Sequence, residues 1–160
     1  MLREKTRTNE DLPTLERFAD VVALVEREPG LYLRYSPGPE KDRADGPSCD
    51  YESGQQMPGW SVTTLGPEPW WSRPIEDWIA RRVCKYAELG EESDRVAWLL
   101  RGRSVGIGPD HEPLVDSFVP VAVLSDRAIT EAQERYRARF DVGNDSRDDD
   151  ADPAQGMDRP

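Results

Sequence analysis

The 160 residues include only two cysteines, Cys49 and Cys84, and a single histidine, His111. There is no CxxC pair and no spaced Cys/His set, so neither a structural zinc site nor a disulfide framework is expected, and both thiols read as reduced. A mechanism that needs a histidine base would rest on His111 alone, which excludes most familiar hydrolase arrangements. No apolar run approaches the roughly 18–20 residues of a membrane span, so no membrane partner is expected. The charged opening MLREKTRTNE has no apolar stretch after it, so no secretory signal or presequence is legible, and cytoplasm is the expected location. Positive charge is scarce too. The 21 Lys and Arg stand against 32 Asp and Glu, a net charge of −11, the wrong sign for a phosphate backbone, so nucleic acid is not expected as a partner.

The acid that is present is unevenly placed. Residues 141–160 hold seven Asp against Arg147 and Arg159 and have almost no apolar content, while residues 1–10 are polar and aperiodic. The chain therefore divides into a disordered N-terminus over 1–10, one domain over 11–141, and a disordered acidic tail over 142–160.

Within 11–141, Leu15, Phe18, Val22 and Val25 recur at helical spacing and predict a helix from about Thr14 to Glu28, stopped by Pro29-Gly30. Leu31 to Ser36 alternates, with Leu31, Leu33 and Tyr35 on one face and Tyr32, Arg34 and Ser36 on the other, which predicts a strand. Pro37 to Pro58 is rich in Pro, Gly, Asp and Ser and reads as a long structureless loop, the first place to seek a binding lid. Trp60 to Leu65 predicts a short strand. Pro74 then opens a helix whose stripe is Ile75, Trp78, Ile79, Val83 and Tyr86, with Gly90 as its stop. Cys84 in that helix is expected to be buried, and Cys49 lies in the polar loop. Val96 to Val105 and Phe118 to Leu124 read as strands, with Pro120 marking an edge position or a bulge. Ser125 caps a last helix carrying Ile129, Ala132, Tyr136 and Phe140. The expected fold class is α+β, a small mixed, mainly antiparallel sheet of about 4–6 strands packed with about 3 helices.

Several residues are candidates for function. Arg34 shares a strand face with Tyr32 and Ser36, and its guanidinium fork suits phosphate or carboxylate if that face lines a cleft; otherwise it is a surface arginine. Trp70 and Trp71 form either an interaction platform or one edge of the core. Asp110, His111 and Glu112 could bind a metal only with further ligands that the sequence does not announce, so no metal site is assigned. Gly106-Ile107-Gly108 lacks the third glycine and the Lys-Ser/Thr of a phosphate loop and reads as a turn between strands.

Taken together, PGLYLRYS at 29–36, DYESG at 50–54, PGWSV at 58–62, PWW at 69–71, and GPD at 108–110 with EPL at 112–114 resemble an uncharacterised family of small actinobacterial proteins, a domain-of-unknown-function family. That resemblance spans residues 12–140 and implies relatives but no mechanism. A second likeness is to the ADP-ribosyltransferase fold, whose members use an Arg on an early strand, a Ser or Thr on the next, and a later Glu. Arg34, Ser61 and Glu112 match that order. The resemblance implies NAD as cofactor, bound by Arg34 and Ser61, with Glu112 as the catalytic carboxylate that stabilises an oxocarbenium-like ribose.

Two readings follow. One is a non-catalytic binding or interaction module that uses the long loop with Tyr51, together with Trp70 and Trp71, for an unidentified protein or small-molecule ligand. A homodimer is expected if these aromatics form an exposed patch. The alternative is an NAD-using enzyme, which requires Arg34, Ser61 and Glu112 to converge on one cleft.

Overall fold

The computed structural model describes residues 11–87 and 94–140. The expected disordered ends and the helix stop at Gly90 lie outside the described residues. Ten elements follow in order: β1 (Thr14–Leu15), α1 (Phe18–Arg27), β2 (Tyr32–Ser36), α2 (Pro39–Asp45), β3 (Trp60–Ser61), β4 (Thr63–Thr64), α3 (Ile75–Lys85), β5 (Val96–Ile107), β6 (Pro113–Leu124) and α4 (Asp126–Phe140). The fold is α+β, as the sequence predicts, with four helices among the described residues instead of about three.

The three longer helices follow their apolar stripes. In α1, Phe18, Val21, Val22 and Val25 are buried, and the Asp20 carboxylate accepts the Arg17 N–H at 3.1 Å to close the first turn. The helix starts four residues later than the sequence predicts. Thr14 and Leu15 instead pair in parallel with Val123 and Leu124 at the end of β6, so sheet hydrogen bonds satisfy a backbone assigned to the helix. At α4 the Ser125 hydroxyl accepts the Ala128 N–H at 3.0 Å, the expected cap. Cys84 in α3 is only partly buried, and that burial still pushes its thiol up to about 11, which leaves it inert.

The sheet runs β1-β6-β5-β2-β4, and β3 pairs with β6. All pairings are antiparallel except β1 with β6. The strand expected over 60–65 is broken in two, and the break shapes the molecule. Trp60 and Ser61 pair with Val115 and Leu114 of β6, whereas Thr63 and Thr64 pair with Leu33 and Tyr32 of β2. Because β2 and β6 lie on opposite sides of β5, one short segment with Val62 at its middle bridges the two and curls the sheet round into a closed circuit. Register shifts at Leu99/Leu100, Gly102/Ser104 and Ser104/Gly106 supply the bending. Pro120 pairs with Leu100 at the first of these, so it marks a bulge, and it falls where β6 has no strand on its other side among the described residues, between the pairings at Val115 and Val123. Gly59 permits the close approach, since a Cβ there would lie 2.5 Å from the Val115 carbonyl oxygen.

Two cores result. The helices cover the outer face of the curl over Leu31, Leu33, Tyr35 and Leu99, the face that the alternation of β2 predicts. Inside the curl, Val62, Trp98, Leu100, Val115 and Phe118 pack together, with the Phe118 ring edge-on to both Trp60 and Trp98.

The segment Pro37–Pro58 is not structureless. Gly38 (φ 128) and Gly46 (φ 86) adopt backbone conformations that favour glycine and bracket α2, Pro39 opens it, and acidic residues precede Arg43 along it. Beyond it, Cys49 and Gln56 form an isolated bridge around a turn held by the Asp50 carboxylate, which accepts the Ser53 hydroxyl at 2.6 Å. No helix among the described residues is long and apolar enough to cross a membrane.

Candidate functional site

The face of β2 turned away from the helices carries Tyr32, Arg34 and Ser36, and α2 packs against it. The Arg34 side chain is 16% exposed, so it is not a surface arginine. Its Nε donates to Asp42 Oδ2 at 2.7 Å, and one terminal nitrogen, Nη1, donates to the Ser61 carbonyl oxygen at 2.7 Å. Asp42, on α2, also accepts the Ser36 hydroxyl at 2.7 Å, and Ser36 in turn accepts the buried Trp98 indole N–H at 2.9 Å. The Trp60 indole donates to the Asp42 carbonyl at 3.1 Å. This network fastens α2 to the sheet, and it neutralises most of the positive charge that Arg34 would offer an anion.

Glu112 lies in the turn between β5 and β6, and the strand begins at Pro113, so the proline does not interrupt the ladder. His111 takes a left-handed conformation, φ 64, and the Gly108 N–H donates to the Glu112 carbonyl at 2.7 Å. The Glu112 carboxylate folds back over Gly108, where a Cβ would collide with it. It accepts the Asp110 N–H at 2.9 Å and the Ser61 hydroxyl at 3.0 Å. Arg34, Ser61 and Glu112 are therefore joined in one chain of hydrogen bonds, through the Ser61 carbonyl on one side and its hydroxyl on the other.

All three line one cleft of about 680 Å³ between β2, the segment 45–57 and the β5–β6 turn. Its other charged residues are Asp42, Asp45, Asp50, Glu52, Asp110 and Arg95, so six carboxylates face two guanidinium groups. Tyr35 and Tyr86 add aromatic surface, and Tyr51, 94% exposed, stands at the rim. The Tyr35 hydroxyl donates to the Val83 carbonyl, and burial pushes its pKa well up, so it stays protonated. Hydrogen bonds from Ser53 and the Glu52 backbone hold the Asp50 carboxyl below its usual range. Among the described residues no three His, Cys, Asp or Glu side chains gather closely enough to hold a metal ion.

Trp70 and Trp71 do not line this cleft. They pack beside α3, edge-on to Trp78 at 5.9 and 5.0 Å, with Trp70 71% exposed and the Trp71 indole donating to the Pro74 carbonyl. The aromatics of the interaction reading thus fall at two separate places.

Sequence reasoning did not single out Asp42, Asp45 or Asp50 as site residues, and it weighed Asp110 only as a metal ligand. A signal for the first three was present: Glu40, Asp42, Asp45, Asp50 and Glu52 crowd residues 40–52, and five acids in so short a stretch need solvent, an ion pair or a ligand.

No curated protein matches the chain, and no solved structure does. The model of one family, described only as a family of unknown function (DUF6098), matches residues 8–149, and the chain belongs to that family.

Proposed function

We propose that this chain is a cytoplasmic, non-catalytic binding module of an actinobacterial family, and that its ligand is a small organic cation held in the cleft beneath segment 45–57. The observation that carries this reading is the charge of the lining: six carboxylates against two arginines, one of which, Arg34, is already paired with Asp42. A concave low-dielectric site of one sign focuses its field and attracts the opposite charge. The carboxylates are dispersed around the walls, which suits an extended cation such as a polyamine better than a point-like metal ion. Tyr86 and Tyr51 offer ring faces to the same ligand. The test is calorimetric titration of spermidine and, separately, of NAD into the full chain. Saturable spermidine binding that weakens as salt rises supports the reading, and its absence at millimolar ligand rejects it.

A second reading keeps the same cleft and makes it an NAD site of the ADP-ribosyltransferase kind. The hydrogen-bonded chain Arg34–Ser61–Glu112 favours it, because a carboxylate already fixed in orientation stabilises developing positive charge without reorganising. The acidic lining opposes it, since a pyrophosphate would enter against six carboxylates that are offset only by the two arginines of the lining and by Lys41 at Asp45. NAD binding with nicotinamide release, lost in Glu112→Gln, would replace the first reading with this one.

A further inference from the structure

Next to Tyr86 of the cleft wall, one face of α3 has a charge opposite to that of the chain as a whole. Arg81, Arg82 and Lys85 lie at spacings of one, three and four on that helix, and among the described residues none of them has a carboxylate partner. Arg82 is half-buried over the Trp78 ring, its Cζ 5.2 Å from the centroid, and Nη2 donates to the Thr64 hydroxyl at 3.0 Å. Its Nε and the indole N–H of Trp78, a residue only 6% exposed, are buried beneath this face, without an acceptor among the described residues. Trp70, largely exposed, closes the rim. Three cations free of carboxylates among the described residues, with an exposed indole beside them, make a surface suited to carboxylate oxygens.

The chain itself offers them close by. Phe140, the last residue of α4, packs under Arg73 at 4.4 Å and Arg81 at 5.6 Å, so the polypeptide leaves α4 at the edge of this same face. The twenty residues that follow carry seven Asp, three of them consecutive at Asp148, Asp149 and Asp150. An extended chain spans about 3.3 Å per residue and α3 is about 16 Å long, so the Asp run reaches the whole face from Phe140. Tethering keeps the local concentration of these carboxylates in the millimolar range, enough for ion pairs that are each weak.

We propose that residues 141–160 dock on this face of α3, with the carboxylates of Asp148, Asp149 and Asp150 pairing with Arg81, Arg82 and Lys85. The surface is thus an interaction site for acidic, acceptor-rich segments whose resident occupant is residues 141–160 of the same chain, and any outside partner of that chemistry must displace it.

The test is zero-length carbodiimide cross-linking of the full chain, read by peptide mass spectrometry on the monomer band. The chain has three lysines, Lys5, Lys41 and Lys85, and Lys41 is 3.0 Å from Asp45, so a Lys41–Asp45 product reports that the chemistry worked. The expected result is a Lys85 product with Asp148, Asp149 or Asp150. It should disappear at about 1 M salt, where screening acts over ~3 Å, and in the variant with all three changed to Asn. A Lys41–Asp45 product without any Lys85 product to these residues overturns the proposal. So does a Lys85 product confined to the dimer band, which would assign the face to a second copy.

Discussion

Two buried carboxylates organise this molecule, and they do so with opposite electrostatic results. Asp42 lies beneath the cleft with one arginine, Arg34, and the pair is nearly neutral, with side chains 7% and 16% exposed. Asp77 is fully buried between α3 and α4 and is shared by three arginines, Arg73, Arg135 and Arg139, at 2.9 to 3.2 Å. One carboxylate among three guanidiniums leaves net positive charge, and the arginines carry it out to the helix surface. One carboxylate per guanidinium leaves the remaining acids of the cleft in excess, even with Lys41 paired to Asp45. The ratio of partners, not the presence of a buried pair, sets the sign of the field on each side of the protein.

Breaking each cluster separates their roles. Asp42→Ala is expected to have the largest effect, about 4 kcal/mol of unfolding free energy in urea titration, because it strands a largely buried guanidinium and removes the acceptor of the Ser36 hydroxyl. It should also abolish ligand binding, since α2 and the segment beyond it lose their attachment. Asp77→Ala is expected to cost about 3 kcal/mol, less because its arginines are partly exposed and can hydrate, and to leave binding in the cleft unchanged. Equal loss of binding in both variants would show that the two regions are not independent.

Acid sharpens the contrast. Burial alone would raise the Asp77 pKa, but hydrogen bonds and charge from Arg135 and Arg139 more than reverse this and hold it below the ordinary value. A depressed folded pKa means stability that is fully present above the unfolded value of about 3.9 and is lost as pH falls through the folded one. Stability measured from pH 5 downward should therefore fall more steeply in the wild type than in Asp77→Asn. Parallel curves would mean that Asp77 contributes no linkage.

The comparison also bears on what a sequence can reveal. Three helices were legible because each buries a stripe repeated over ten or more residues, and β2 was legible because Leu31, Leu33 and Tyr35 alternate with Tyr32, Arg34 and Ser36. The closure of the sheet was not. Strands of two residues have no period to read, and pairing Ser61 with Leu114 is a contact between distant parts of the chain that no local propensity encodes. The same holds for the site. Arg34, Ser61 and Glu112 could be singled out by residue type, but the residue that governs Arg34 is Asp42, whose position depends on a seven-residue helix hidden among prolines and glycines. Around Asp77, Arg73 lies just before α3 while Arg135 and Arg139 lie on α4, beyond the entire β5–β6 hairpin, so neither helical pattern alone announces the cluster.

Smaller changes probe the cleft side alone. Gly59→Ala should cost about 2 kcal/mol, since the added methyl meets the backbone of Val115 and must push β3 away from β6; Gly30→Ala, with open space around its Cβ position, is the matched control in the same melt. The smallest effect on stability is expected from Glu112→Gln. The amide keeps an oxygen for the Ser61 hydroxyl or the Asp110 N–H but loses the charge, so the fold should hold within about 0.5 kcal/mol. If the cleft works by its field, removing one of six carboxylates should weaken spermidine binding several-fold and flatten its salt dependence, with no change in the cross-linking of Lys85 on α3. A loss of affinity that is independent of salt would instead make Glu112 a specific hydrogen-bonding contact, which is the role that a reaction at this carboxylate would require.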